Sequence, residues 1–164
     1  MLCLATSLAQ LSFGKLMEVY IEGNLEKAEA SSLLQAEQDF YSYLRDCFFP
    51  TDGAVYALWV EGNAYVSALR LEPYKDGLLL AALETAPGHR RKGYAYQLMQ
   101  AVLERFAQKP IYSHVSKQNA ASLAIHEKCG FRKISDAAAY IDGSVSDRAV
   151  TLCYWSATEK RYES

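Results

Sequence analysis

Hydrophobic positions along the chain switch between a period of two, which marks strands, and a period near 3.6, which marks helices. Residues 1–6 read as a first short strand. Thr6 and Ser7 can cap a helical segment that runs to about Ile21, and Gly23-Asn24 interrupts it. A second helical segment covers about Ala30–Phe48, with Leu33, Leu34, Phe40, Tyr43, Leu44 and Phe48 at mixed three- and four-residue spacings; Pro50, Asp52 and Gly53 end it. Strands follow at 54–60, 64–71 and 78–85, separated by the turn signals Glu61-Gly62-Asn63 and Pro73-Tyr74-Lys75-Asp76-Gly77. These three form an antiparallel meander. The third is almost continuously apolar, as a central strand covered on both faces should be. Arg91–Phe106 carries Leu98, Met99, Val102, Leu103 and Phe106 on one helical stripe. Ile111–Ser116 reads as a strand, and Asn119–Cys129 as a helix closed by Gly130. Phe131–Ile141 and Arg148–Trp155 read as two last strands around Asp142-Gly143-Ser144. The order β-α-α-β-β-β-α-β-α-β-β predicts an α/β (α+β) fold on a mixed sheet. Its strand–helix–strand unit 78–116 is long enough for a right-handed parallel crossover.

A length of 164 residues suits one domain, 1–164, and is short for two. With 51% hydrophobic and 22% charged residues, disorder and coiled coil are excluded. The formal net charge of −2 supplies no field for a nucleic-acid backbone, so no nucleic-acid partner is expected. No interior apolar run, Leu78–Leu83 included, approaches the ~20 residues of a membrane span, so no membrane partner is expected either. The opening MLCLATSLAQL lacks a basic segment before it, the first lysine being Lys15, and a buried strand is the better reading than a signal segment. Cys3, Cys47, Cys129 and Cys153 are scattered without a CxxC pair, so no metal site is expected. Reduced, mostly buried thiols in a cytoplasmic protein are the default.

The chemistry concentrates in Leu83-Glu84-Thr85-Ala86-Pro87-Gly88-His89-Arg90-Arg91-Lys92-Gly93-Tyr94-Ala95, where a buried strand turns into a helix. Three cations and a glycine stand at a helix N-terminus, where free N–H groups and the helix dipole already favour an anion. Gly93 allows close backbone approach by a phosphate. A solvated basic turn is the alternative, but it would leave cations opposing the dipole with nothing gained. Gly88 and Gly93 have the glycine spacing of a P-loop, yet Tyr94 and Ala95 stand where Lys-Ser/Thr should follow, and there is no GxGxxG.

Arg90-Arg91-Lys92-Gly93-Tyr94-Ala95 resembles the Arg/Gln-x-x-Gly-x-Gly/Ala signature of the GNAT N-acetyltransferase superfamily. Asn119-Ala-Ala-Ser122-Leu-Ala-Ile-His126-Glu-Lys-Cys-Gly130-Phe131 is similar to that family's Asn-x-x-Ala/Ser-x-x-x-Tyr-x-x-x-Gly-Phe segment, in the expected order. Together the two motifs cover about 78–132. The resemblance implies a sheet of about seven strands with helices on both faces, splayed between the fourth and fifth strands. It implies acetyl-CoA as cosubstrate and a primary amine as acceptor, on a small molecule or a peptide. The pyrophosphate would rest on Arg90, Arg91, Lys92, Gly93, Tyr94 and Ala95. The pantetheine arm would pair with strand backbone at Leu83 and Thr85, with Asn119 and Ser122 at the matching positions of the second motif. A backbone N–H there would polarise the thioester carbonyl. The protein would act as a monomer or homodimer.

His126 stands where many relatives have a tyrosine that protonates the leaving thiolate. An imidazole can do that work, or can simply hydrogen-bond a carbonyl inside the helix packing; water, Tyr140 or Tyr154 are other proton donors. A base helps, because deprotonating a lysine-like amine at pH 7 costs about 4.6 kcal/mol. His114 and Glu84 are candidates. His114 could equally be a buried hydrogen-bonding residue, and Glu84 a carboxylate paired with a nearby Arg or Lys. Tyr20, Phe40, Tyr41, Tyr43, Phe48 and Phe49 crowd the region that in relatives helps to form the acceptor pocket, and Glu18, Glu22, Glu37 and Asp39 are acids that could attract an amine. A non-catalytic acyl-CoA-binding module and a nucleotide site are the rival readings.

Overall fold

The computed structural model describes residues 1–28, 32–106 and 108–156. The elements are β1 (Leu2–Ala5), α1 (Phe13–Val19), α2 (Ile21–Lys27), α3 (Leu33–Tyr43), β2 (Val55–Glu61), β3 (Ala64–Tyr74) and β4 (Gly77–Thr85). They continue with α4 (Tyr94–Phe106), β5 (Ile111–Ser116), α5 (Ala120–Lys128), β6 (Arg132–Ser135), β7 (Ala138–Ala139), β8 (Val145–Ser146) and β9 (Ala149–Tyr154). Seven strands make one mixed sheet in the order β1-β2-β3-β4-β5-β9-β6, and β7 and β8 pair separately. The strand expected to be central, β4, stands fourth of the seven. Its parallel ladder with β5 runs Leu78↔Ile111, Leu79↔Tyr112 and Leu80↔Ser113. Gly77 makes this start possible: a Cβ there would stand 1.9 Å from the Pro110 carbonyl oxygen.

Several boundaries differ from expectation. Gly23-Asn24 does not break the helix; α2 runs through them, because one interior glycine costs only ~1 kcal/mol relative to alanine. The break falls at Tyr20, after α1 has buried Leu16, Met17 and Val19. The expected start of the second helix at Ala30 lies outside the described residues. Ser32 caps α3 by accepting from the Gln35 N–H, and Leu44–Phe48 widen into a π-helical turn. Arg91 is not helical, since Gly93 (φ +79°) cannot lie in a helix, and α4 starts at Tyr94. The expected strand 131–141 is two pieces, β6 and β7, with a register shift between Lys133 and Ser135. Among the cysteines only Cys129 and Cys153 are buried; Cys47 is exposed.

The chain falls into two units. The first comprises Met1–Glu72 and Ala82–Leu98, the second Pro73–Ala81 and Met99–Ser164. The core of the first gathers Leu16, Val19, Leu44, Phe48, Tyr56, Leu58 and Ala68, with Phe13, Tyr20, Phe40 and Tyr43 packed against it. Phe48 meets Phe49 and Tyr56 edge to face, at 5.1 and 5.8 Å between centroids. In the second, Tyr74, Leu79, Tyr112 and Cys153 form a cluster that Trp155 partly covers.

Candidate functional site

In the first unit, β4 leads through a 3-10 turn at Pro87–His89 into the loop before α4. Arg91 (φ +63°) and Gly93 (φ +79°) are both left-handed. Alternation of this kind turns successive N–H groups toward one concave side, a geometry that suits an anion. The first helical bond runs from the Gln97 N–H to the Gly93 carbonyl, so earlier N–H groups of that turn have no helical carbonyl to bond. Arg91 and Lys92 are exposed at this turn. Arg90 is clipped down: its Nη2 lies 2.7 Å from Glu22 Oε2 and 3.3 Å from Glu84 Oε1, and its Nε donates to the Thr85 carbonyl at 3.3 Å. Burial pushes the Glu84 carboxyl up, and Arg90 pulls it back. Ser67 Oγ donates to the Glu84 carbonyl at 2.8 Å and lies 3.2 Å from Thr85 Oγ1, which fixes the end of β4.

One residue before Leu83, Ala82 has φ +56° in mid-strand, a conformation that costs an alanine of order 1 kcal/mol or more. Its carbonyl accepts from the Tyr20 hydroxyl at 2.7 Å, and that hydroxyl accepts from Tyr56 at the same distance. Ala82 also lines a cavity of about 410 Å³ with Tyr20, Asn24, Phe40, Tyr43 and Arg70.

In the second unit, Asn119 caps α5: its Oδ1 accepts from the Ser122 N–H at 3.1 Å. His126 is 1% exposed and its ring meets Phe131 edge to face at 4.9 Å. Its Nδ1 lies 2.7 Å from the Ser122 carbonyl, which can only accept, so Nδ1 carries the proton. Nε2 therefore accepts from the Ser113 hydroxyl at 2.8 Å. Both nitrogens are used by a neutral ring, and burial holds its pKa below the ordinary value.

His114, the next residue on β5, has Thr151 Oγ1 3.0 Å from its Nδ1. The Thr151 hydroxyl donates to the Ala137 carbonyl, so it accepts from His114 Nδ1–H. Nε2 is then a buried lone pair with no hydrogen bond among the described residues, between the rings of Tyr74 and Tyr140. Burial lowers this pKa too; the Ala139 carbonyl works the other way.

A pH dependence follows from these two rings. Their native pKa values are depressed, so the unfolded chain takes up protons that the native chain refuses. Stability is full above the unfolded pKa of ~6.5 and falls as pH drops below it, by at most about 1.4 kcal/mol per pH unit for a single histidine. Denaturant midpoints measured from pH 7.5 to 5 should fall, and the slope should shrink in His126→Gln.

No motif in the sequence marks Arg70 or Ser113. Each is a polar residue inside an apolar strand, and that signal was present.

The model of the acetyltransferase (GNAT) family matches residues 21–131. The chain belongs to that family. Membership makes it an acyltransferase of a family that uses acetyl-CoA. No curated protein matches the sequence. The fold is shared with solved GNAT structures. The ribosomal-protein-S18-alanine N-acetyltransferase of Escherichia coli is 16% identical, with a TM-score of 0.62 over 93% of this chain and 92% of that one. The spermidine N-acetyltransferase of Vibrio cholerae, solved with CoA and spermine, is 16% identical, with a TM-score of 0.63 over 93% and 94%. An aminoglycoside 6'-acetyltransferase type Ii is 13% identical, with a TM-score of 0.65 over 94% and 96%. Among the described residues, no helix is long and apolar enough to cross a membrane, and no group of three or more His, Cys, Asp or Glu could hold a metal ion.

Proposed function

We propose that the chain is an N-acetyltransferase that moves an acetyl group from acetyl-CoA to a primary amine by direct attack in a ternary complex. All of 1–164 serves as one such domain, with its CoA-binding core at about 78–132. The observation that carries this reading is the pair of left-handed residues, Arg91 and Gly93, at the mouth of α4. They present backbone N–H groups to the pyrophosphate, with Arg91, Lys92, Tyr94 and Ala95 around it, and Arg90, expected there too, pairs with Glu22 and Glu84. The pantetheine arm runs along Leu83 and Thr85, and Asn119 and Ser122 stand at the matching positions of the second motif.

In the reaction the neutral amine attacks the thioester carbonyl, the C–S bond breaks with its electron pair on sulfur, and the nitrogen loses a proton. His114 and Glu84 are the base candidates. His114 has the bare lone pair that a base needs; Glu84 carries Arg90. For His126 the bonding of both nitrogens supports the packing role, which leaves water or a tyrosine to protonate the thiolate.

Release of CoA thiol on mixing with acetyl-CoA and a panel of amines tests the reading. Acetyl-CoA binding without turnover of any amine would favour the non-catalytic module. Displacement of CoA by ATP would favour a nucleotide site. Two variants add detail. Asn119→Ala should raise the acetyl-CoA KM about 5–10-fold, through one lost hydrogen bond, and lower Tm by a few degrees through the lost cap. A Tm drop with normal KM would confine Asn119 to capping. Lys92→Ala should weaken acetyl-CoA about 3–10-fold, since an exposed charge pair contributes at most ~1 kcal/mol. That loss should vanish at high salt.

A further inference from the structure

We infer that the acceptor amine also carries a carboxylate, and that Arg70 in the first unit's cavity receives it. This rests on the acetyltransferase reading and adds the chemical class of its acceptor. Arg70 lies on β3 between the buried Leu69 and Leu71. Its guanidinium carbon sits 4.9 Å from the ring centroid of Tyr43, 5.8 Å from Phe48 and 5.9 Å from Phe40. The ring faces attract the charge but offer no hydrogen-bond acceptor to an in-plane N–H. Its Nε is buried without a partner among the described residues, and Arg70 forms no ion pair there. A buried donor left unbonded is costly, and a charged one more so.

The nearby acids do not relieve it. Burial raises the Glu72 pKa while Arg70 works the other way, and the two make no ion pair among the described residues. Asp39 lines the cavity at an exposed position, and its Oδ1 accepts from Gln35 Nε2 at 2.8 Å. Lys27 lines the same cavity, so its charged lining is two cations against one acid. That balance suits an anion and disfavours a polycation. The paired N–H groups of a guanidinium fork match the two oxygens of a carboxylate. Ala82, on the same cavity wall, adjoins Leu83, where the reading above puts the pantetheine. In an α-amino acid the amine and the carboxylate stand on one carbon, so one small molecule can reach both walls of a space of about 410 Å³.

The test uses the parent enzyme and matched acceptors: an α-amino acid such as phenylalanine, its carboxamide, the decarboxylated amine, and spermidine. The expected result is a kcat/KM for the carboxylate at least about 10²-fold above that for the carboxamide, with spermidine poorest, because a site built for a polar group rejects the analogue that lacks it. Arg70→Met should collapse the carboxylate-to-carboxamide ratio to within about 3-fold of one. Arg70→Lys should keep part of it, having charge without the fork. An equal rate for carboxylate and carboxamide in the parent, or a preference for spermidine, overturns the inference with no variant needed. So does a ratio that survives in a folded Arg70→Met. Acetyl-CoA binding by calorimetry separates the two levels. If acetyl-CoA binds and cationic amines are acetylated, only the carboxylate inference fails. If acetyl-CoA does not bind, the acetyltransferase reading fails and takes the inference with it.

Discussion

Gly93→Val is expected to raise the acetyl-CoA dissociation constant by about 10²-fold or more while the protein stays folded. Two effects combine. A β-branched residue at φ +79° is strained by about 1–3 kcal/mol, and the turn relaxes away from the geometry that aims its N–H groups. The new side chain also occupies the space from which a phosphate approaches the backbone. The protein itself leaves that space open: a Cβ there would meet only Gln97 Nε2, at 4.0 Å. Binding should therefore suffer more than stability, with Gly93→Ala falling between. Titration calorimetry beside a thermal melt checks this. Unchanged affinity in Gly93→Val would remove the loop from the CoA site.

His126→Ala should do the reverse, costing stability and sparing turnover. The ring fills a buried volume against Phe131, and its loss strands the Ser113 hydroxyl, which is 2% exposed, together with the Ser122 carbonyl. A cavity with unpaired polar groups costs about 2–4 kcal/mol. For a chain of this size that is a fall in Tm of roughly 5–15 °C. The kcat per folded molecule should stay within about 3-fold of the parent. His126→Gln, able to donate and accept, should recover part of the stability. A kcat reduced about 10²–10⁴-fold at intact stability would instead make His126 the acid.

Where the sequence was legible, a local rule sufficed. The continuous apolar run at 78–85 marked the central strand, and Gly93 marked the left-handed turn before α4, because both signals lie within a few residues. What it hid depends on partners distant in the chain. Nothing local tells that Arg90 is gripped by Glu22, or that Ser113 engages His126. The same holds for Arg70: its rings come from α3 and the π-helical turn after it, and its missing acceptor is visible only once every neighbour is placed. Ala82 carries no sequence mark of its left-handed backbone, since no glycine or asparagine stands there.

The hydroxyl chain from Tyr56 through Tyr20 to the Ala82 carbonyl also has an optical consequence. Burial pushes the ionisation of both phenols well above pH 10. In an alkaline titration followed by near-ultraviolet tyrosinate absorbance, these two of the chain's 12 tyrosines should stay dark well above pH 10. The unfolded chain loses those protons near pH 10, so their contribution to stability, complete below that pH, drains away above it. Their absorbance should then appear in one step with global unfolding. Tyr20→Phe should release the Ala82 carbonyl and move that step to lower pH. Light absorption would thus report on the strained bend beside Leu83 with no substrate present.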